Sequence, residues 1–571
     1  MQITILDWAV VFAYFIVIGA IGLVAARKVK DTQDYFLGKR SFGKLLMIGQ
    51  SFGVGTHADM PVSMAGAVYS IGFSAIWYQW KNLFATPFFW LVAPIFRRLR
   101  RTTVAESVED RYGSWMGGIY TLFALSFFVL GFASMFKGAA KVINQALGGQ
   151  LGINQVVVGM TIVFILYSFV GGLMAAAWTD LFQSFLIIIL SFLLIPFGWK
   201  AIGGTRAIRE NLGAHQLSLT TPEGVGLWII LALTLNGLIG IMAQPHMMAT
   251  VGTGKDENAC RIGFFYGMFV KRICTVGWAF IGVIVAVMVK QDRFDGASVL
   301  ADPENAFGFA CRRLLFPGGI GLMIAAVLAA SMSTGSALMV DSGALFTQCV
   351  YRKLRPNGRS DHHYLLIGRF SGFLITLVGV VYSLFLVDRV LYSFLLAETL
   401  ATYMGISVLG GIVWARANRW GAASSLMVAL GTNFGLYQFL GKRLDDWDAH
   451  VFLIALGSGT LTLILVSLIT PPEPPTRIES FFQNLQTPSD LDPLRPKTLE
   501  QVAKDPVSEF SAPKTLAGQE LIFLNLTKLR LGNLKTFSRA CRSDMLGFVV
   551  GWVLVLALVS GLWLFLEYII R

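Results

Sequence analysis

Charge is scarce in this chain. Only 14% of its 571 residues are charged, against about 25% in an average soluble domain, while 55% are hydrophobic and 13% aromatic. That excludes an ordinary water-soluble globule and implies a polytopic membrane protein. Cysteine is scarce as well. The five present, Cys260, Cys274, Cys311, Cys349 and Cys541, form no C-x-x-C pair, so neither a disulfide framework nor a zinc site is indicated. Also missing are H-E-x-x-H, G-x-S-x-G and any phosphate-binding loop, which argues against an enzyme. No cleavable signal is evident. The first apolar run, 3–26, is too long for a signal core and lacks a basic leader and an A-x-A site.

The charge that is there leans basic, at net +13, but its placement does not suit nucleic acid. It gathers where apolar runs end: at Arg27, Lys28, Lys30, Lys39 and Arg40, at Arg97, Arg98, Arg100 and Arg101, and at Arg352, Lys353, Arg355 and Arg359. This is the positive-inside pattern, and it predicts that the first basic loop is cytoplasmic and the N-terminus outside.

Runs of about 20 apolar residues suffice to span a bilayer. They are predicted at 3–26, 42–71, 74–96, 116–146, 153–174, 178–199, 225–250, 262–289, 316–350, 364–387, 390–414, 420–441, 450–470 and 545–570. The expectation is an all-α protein of about fourteen transmembrane helices in the plasma membrane, or the inner membrane of a Gram-negative cell, with the C-terminus also outside. Residues 471–543 interrupt the pattern. They open Pro471-Pro-Glu-Pro-Pro475, carry 10 basic against 8 acidic residues, and close on the amphipathic run Leu521–Leu531. This predicts a cytoplasmic insertion acting as linker and packing element, with 478–520 dispensable.

Two spans are interrupted. Span 42–71 holds Gly49, Gly53, Gly55, Thr56, His57, Asp59, Pro61 and Gly66; span 225–250 holds Asn236, Gly237, Gly240, Gln244, Pro245 and His246. A lipid-facing helix has no use for such residues, but unwound backbone is tolerated where it lines a cavity. The two spans stand five helices apart, the pattern of an inverted-repeat transporter. The predicted organisation is a first helix and basic loop (1–40), two five-helix repeats (41–222 and 223–419), two peripheral helices (420–470), the insertion (471–543) and a last helix (544–571).

A third polar feature lies in span 316–350, as Ala329-Ala-Ser-Met-Ser-Thr-Gly-Ser-Ala337 with Asp341 beyond it. Polar groups at bilayer depth usually face a cavity or a bundle interior. The adjacent hydroxyls of Ser333 and Thr334 offer neutral oxygens to a small hard cation such as sodium. Alternatively, each bonds back to a carbonyl one turn earlier in its own helix. Asp341 reads either as such an intrahelically bonded acid or as a modifier of ion selectivity.

These residues, in this order, resemble the sodium:solute symporter family. Asp34-Tyr-Phe-Leu-Gly-Lys-Arg40 is similar to the motif before its first core helix, followed by Ala65-Gly-Ala-Val-Tyr69 and Trp77-Tyr-Gln-Trp80. Pro94-Ile-Phe-Arg-Arg98 with Thr103-Val-Ala-Glu106 resembles its inner loop, and Tyr167–Gln183 its Y-T-x-x-G-G-x-x-A-x-x-W-T-D-x-x-Q signature. Ala243-Gln-Pro-His246 resembles the G-Q-P-H of the proline and pantothenate branches, and Met332-Ser-Thr334 with Leu345-Phe-Thr347 the ninth helix.

The resemblance implies a LeuT-type fold and a symporter that imports a small polar organic solute by alternating access, with Na+ as coupling ion. It implies sodium ligands at Gly53, Thr56 and Ala330 (carbonyls) and at Ser333 and Thr334 (hydroxyls), with Asp180 near the inner exit. Thr179 and Asp180 equally suit a helix N-cap. For the solute it implies Gly55, His57, Asp59, Met60 and Gln79, with Gln244, His246 and Lys271 across from them. Gln79 stands where sugar-binding members have an acid, Asp59-Met60 where relatives have an acid–amide or acid–His pair, and Thr250 where the proline-like branch has Arg. The solute class therefore stays open among sugars, amino acids and carboxylates. A non-transporting sensor on the same scaffold, signalling through 471–543, is the rival reading. The expected partners are the solute and the bilayer, with no nucleic acid; oligomeric state is not legible.

Overall fold

The computed structural model describes residues 3–27, 31–292, 296–355, 358–442, 447–489, 520–525 and 538–571. Lys28, Lys30 and most of Leu521–Leu531 lie outside them. The principal helices are α1 (Ile5–Ala26), α2 (Lys44–Val54), α3 (Asp59–Ile71), α4 (Thr86–Arg98), α5 (Val104–Tyr112), α6 (Ser114–Ala146), α7 (Ile153–Phe192), α8 (Leu227–Gly240), α9 (Met247–Val251) and α10 (Glu257–Lys290). They continue with α11 (Gly319–Phe346), α12 (Asp361–Phe385), α13 (Val390–Val413), α14 (Arg419–Phe439), α15 (Ala449–Ile469), α16 (Pro475–Gln486) and α17 (Arg542–Ile570). Among the described residues, nine helices are long and apolar enough to cross a membrane. The two spans rich in Gly, Pro and His are each broken: α2 stops at Val54 and α3 starts at Asp59, and α8 stops at Gly240 with α9 resuming at Met247.

Helices meet where small residues let backbones approach, as is common where lipid supplies no hydrophobic contrast. On α10, Gly263 and Gly267 lie one turn apart against α2. A Cβ at Gly263 would stand 2.4 Å from Met47 Cβ, and one at Gly267 2.8 Å from the Ile48 carbonyl. The chain also turns sharply inside α7, at Gly172 (φ +58°), where any Cβ would meet the Tyr35 ring at 2.4 Å. This corrects the predicted boundary. The turn comes at 172 rather than between 174 and 178, so Thr179 and Asp180 sit well inside a helix. Thr179 bonds back to the Ala175 and Ala176 carbonyls, and neither residue is an N-cap.

The polar loops sort into two ends. At one, Phe42 N donates to Thr253 O (3.3 Å) and Lys255 N to Phe42 O (3.0 Å), Arg98 grips Glu257 at 2.8 and 2.9 Å, and Lys353 pairs with Glu109. At the other, Lys141 pairs with Asp302 (2.8 Å) and Glu304 (2.5 Å), and Lys290 donates to Asn211 O (3.0 Å). Asp7 accepts from Thr4 N (2.9 Å) and from the Gly318 and Gly321 amides (2.8 Å each), tying the start of α1 to the start of α11. Loops assigned to one side of the bilayer from hydropathy thus meet each other.

The first part of the insertion is not a loose linker. α16 lies as a strap across the basic end of the bundle, burying Phe481 and Leu485. Arg98 donates to Leu485 O (3.1 Å), Arg100 to Asn484 O (2.9 Å), and Ser489 N to Glu257 (2.8 Å). Of the stretch 478–520 expected to be dispensable, 478–489 is thus docked on the bundle; residues 490–519 lie outside the described residues. Glu473 anchors the strap, accepting from Arg419 at 2.9 and 2.7 Å and from Arg477 at 2.7 Å. Burial works to raise the Glu473 carboxyl, but these arginine hydrogen bonds prevail and hold it below the usual glutamate range. Its pKa is lower folded than unfolded, so its contribution is present above the ordinary glutamate value and is lost as pH falls through the lowered one. Both arginines are partly exposed to solvent, so the network contributes on the order of 1 kcal/mol. Glu473→Gln should speed limited proteolysis within 475–489 about fivefold, and acidification should do the same to the parent chain but not to the variant. Equal cleavage rates at neutral pH would remove the anchor role.

Candidate functional site

The end of α2 is where the first polar cluster forms. Once the helix stops at Val54, its last carbonyls lose their regular partners one turn on, although Gly53 O still accepts from Thr56 N at 3.2 Å. α11 crosses there, and Thr334 Oγ1 donates to Val54 O (3.1 Å) and Gly53 O (3.3 Å). Its neighbour Ser333 donates to Asp180 Oδ1 on α7 at 2.6 Å. These bonds run between helices. Ser331 and Ser336, by contrast, bond within α11, to Val327 O and Ser333 O. The back-bonded alternative thus describes the flanking serines and not Ser333 or Thr334. A Cβ at Gly53 would stand 2.5 Å from Ser333 Oγ and 3.3 Å from Asp180 Cβ, so only glycine lets the three helices close here.

Two oxygens at this junction are buried with no hydrogen-bond partner: Thr56 Oγ1 in the helix break and Asp180 Oδ2. Buried polar atoms are rarely left unmatched, and oxygens are what a hard cation takes. Of the residues implied for sodium, Gly53, Asp180, Ser333 and Thr334 are in contact, Thr56 follows in the break, and Ala330 lies one turn before Ser333 on α11. Asp341, about two turns further along, is buried with its Oδ2 unpartnered. It makes no side-chain hydrogen bond among the described residues, which removes the intrahelically bonded reading.

Beside this junction is a cavity of about 890 Å³, partly open to solvent, between the two broken helices. Gly55, His57, Met60, Gln79, Gln244, His246 and Lys271 all line it, with apolar walls from Phe127, Phe264 and Phe394. Asp59 does not line it. It packs against α6, where its Cα would stand 2.5 Å from a Cβ at Gly138, with the His57 ring Nδ1 at 3.5 Å. Residue 59 begins α3, and the first turn of that helix aims Asp59 at α6 while Met60 faces the cavity.

Sequence reasoning missed the strongest polar contact in the wall. Lys81 pairs with Glu398 of α13 at 2.6 Å and donates to Asn236 Oδ1 at 3.2 Å. Gln244 Nε2 lies 2.9 Å from both Glu398 oxygens. Both charged residues stand inside or beside predicted apolar spans, which is itself the signal that could have found them.

Comparison with known proteins agrees with this arrangement. Residues 35–429 match a family model described as the sodium:solute symporter family. The osmoregulated proline transporter OpuE of Bacillus subtilis is 26% identical over 440 residues, 73% of this chain and 86% of the relative. The sodium/pantothenate symporter of Haemophilus influenzae is 23% identical over 80% and 92% of the two chains. For the sodium/myo-inositol cotransporter 2 of Bos taurus the figures are 25%, 87% and 82%. Among solved structures, a substrate-bound, outward-open Na+-coupled sialic acid symporter superposes with a TM-score of 0.68 at 18% identity, covering 82% of this chain and 99% of its own. The fold is LeuT-type, with the inverted five-helix repeat.

Gly53→Ala tests the junction directly. The added methyl must displace the Ser333 hydroxyl, so the variant should keep its helical circular dichroism while its sodium half-saturation, followed by thermal shift, rises tenfold or more. An unchanged sodium response would separate the junction from the ion.

Proposed function

The chain belongs to the sodium:solute symporter family, and on that premise we propose where the ion and the solute bind and how one drives the other. Sodium binds at the junction of α2, α7 and α11, taking the carbonyls of Gly53, Thr56 and Ala330 and the hydroxyls of Ser333 and Thr334, with Asp180 beside it. The observation that carries this reading is the convergence of two α11 hydroxyls on the broken end of α2, next to the two unpartnered oxygens of Thr56 and Asp180. Sodium is the coupling ion, and the chain is a transporter rather than an enzyme.

The solute, a small polar organic molecule, occupies the cavity beside the junction. Gly55, His57 and Met60 line that cavity and follow the sodium junction within a few residues of chain. An ion that holds the end of α2 against α11 therefore also orders the solute wall. Each sodium ion moving inward contributes about 2.3 kcal/mol per 100 mV, plus its concentration term, and alternating access converts this into solute uptake. The basic loops face the cytoplasm, with both termini outside, in the plasma membrane or a Gram-negative inner membrane.

Sodium-gradient-driven uptake into proteoliposomes is the test. Ser333→Ala and Thr334→Ala should each weaken sodium activation tenfold or more, the consequence of losing one polar ligand at about 1–3 kcal/mol. Unchanged half-saturation in both variants would reject the site. Gln79→Ala should instead raise the solute half-saturation while sodium affinity stays within about threefold, under 0.7 kcal/mol. A collapse of sodium affinity with solute affinity intact would mean that the two sites are interchanged.

A further inference from the structure

The charges around the cavity do not balance. Lys81, Lys271 and Arg272 are cations, and Glu398 and Asp59 are the acids that face them; His57 and His246, counted neutral, add nothing. Lys81 and Glu398 satisfy each other at 2.6 Å, with Gln244 on the carboxylate. Arg272, buried behind the wall, donates to Gln79 O at 3.1 Å. Asp59 packs against α6, with the His57 ring at 3.5 Å and both carboxylate oxygens unpartnered. That leaves Lys271. It lines the cavity, is only 6% exposed, and makes no side-chain hydrogen bond or ion pair among the described residues. Charges buried to this degree are normally paired.

A second unmatched donor faces the same space. Gln79 is 2% exposed, and its Nε2 is buried without an acceptor. The Arg272–Gln79 contact joins the two segments that carry these donors. An ammonium and an amide N–H, both lacking acceptors, form a receptor for an oxyanion, beside apolar wall from Phe127, Phe264 and Phe394. Neutral acceptors line the space as well, Asn82 Oδ1 and Ser51 Oγ being buried without a partner, and these suit hydroxyls on the remainder of the solute; a zwitterion would need a free carboxylate for its ammonium. The one cavity-lining carboxylate, Glu398, is already taken by Lys81 and Gln244.

We infer that the solute is a monoanion whose carboxylate pairs with Lys271 and accepts from Gln79, an assignment that rests on the symporter reading above. Such a solute brings three cations and two acids to neutrality, while its apolar or hydroxylated remainder meets the Phe and Met walls. Lys271 is on this account the specificity-determining residue.

The test is a thermal-shift series on the purified full-length protein, in sodium and in choline. The probes are lactate, glucuronate and benzoate, each against its own amide, together with proline and myo-inositol. At least one acid should stabilise the protein in sodium, with its amide at least tenfold weaker. Lys271→Met should erase that preference and keep the response to sodium alone, while Lys271→Arg, which restores the charge, should retain it. Stabilisation by proline, myo-inositol or an amide equal to that of any acid would overturn the proposal, as would an acid response untouched by Lys271→Met. A response to sodium with none to any acid would overturn the anion assignment and leave the symporter reading standing. No response to sodium at all would strike that reading itself, and the anion assignment with it.

Discussion

A backbone amide or carbonyl inside a bilayer has no water to turn to, and this constraint organises the whole molecule. A helix can stop at membrane depth only if something else satisfies the groups it frees. Where α2 ends, the Val54 and Gly53 carbonyls are met by Thr334. Where α8 ends, the Ala243 carbonyl accepts from Tyr120 at 2.7 Å, and just past that break Ala249 O accepts from Gln50. The side chains recruited for this purpose come from distant parts of the chain, so each break draws several helices to one point. The junction of α2, α7 and α11 and the cavity beside it both lie at these breaks, where polar side chains converge on the freed backbone.

Much of this was legible in the residues. Gly, Pro, His and Asp crowded into one apolar run are incompatible with a lipid-facing helix, and both runs so marked are broken. The pair Ser333–Thr334 stood out because hydroxyls are costly in so apolar a span. What sequence could not supply was direction. Asp59 and Met60 are adjacent, yet one faces α6 and the other the cavity, since successive residues on a helix point about 100° apart. Asp180 read as a cap because Thr-Asp is a common way to begin a helix. In fact the chain turns at Gly172, whose positive φ is invisible until Tyr35 is known to press against it. Lys81 and Glu398, separated by 317 positions, become a pair only once the two repeats are packed together.

The strap shows the limit of composition as a guide. Pro471–Pro475 and the polar residues after it have the make-up of a linker, and hydropathy has no reason to choose between a solvated helix and a docked one. The choice is made by Phe481 and Leu485, one turn apart on α16, and by a basic bundle end that offers Arg98, Arg100 and Arg111 to backbone carbonyls and ring faces. Arg111 lies 5.9 Å from both the Phe481 and Phe482 ring centres. Two apolar anchors with a polar rim suffice to seat a short helix on a surface already formed.

Helix α17 also bears on how the protein is made. α17 packs along α4: Phe548 meets Phe88 at 5.0 Å between ring centres, Trp90 donates to Ser543 O at 2.9 Å, and Gly547 seats the Trp90 indole. Asp544, at the foot of α17, pairs with Arg261 of α10. Chains emerge from the ribosome N-terminus first, so α4 enters the membrane hundreds of residues before its partner exists. Until α17 is synthesised, the aromatic flank of α4 lacks this partner, and Arg261 has Glu257 of its own helix, at 4.0 Å, as counter-charge. The seam along α4 is thus closed only when α17 arrives.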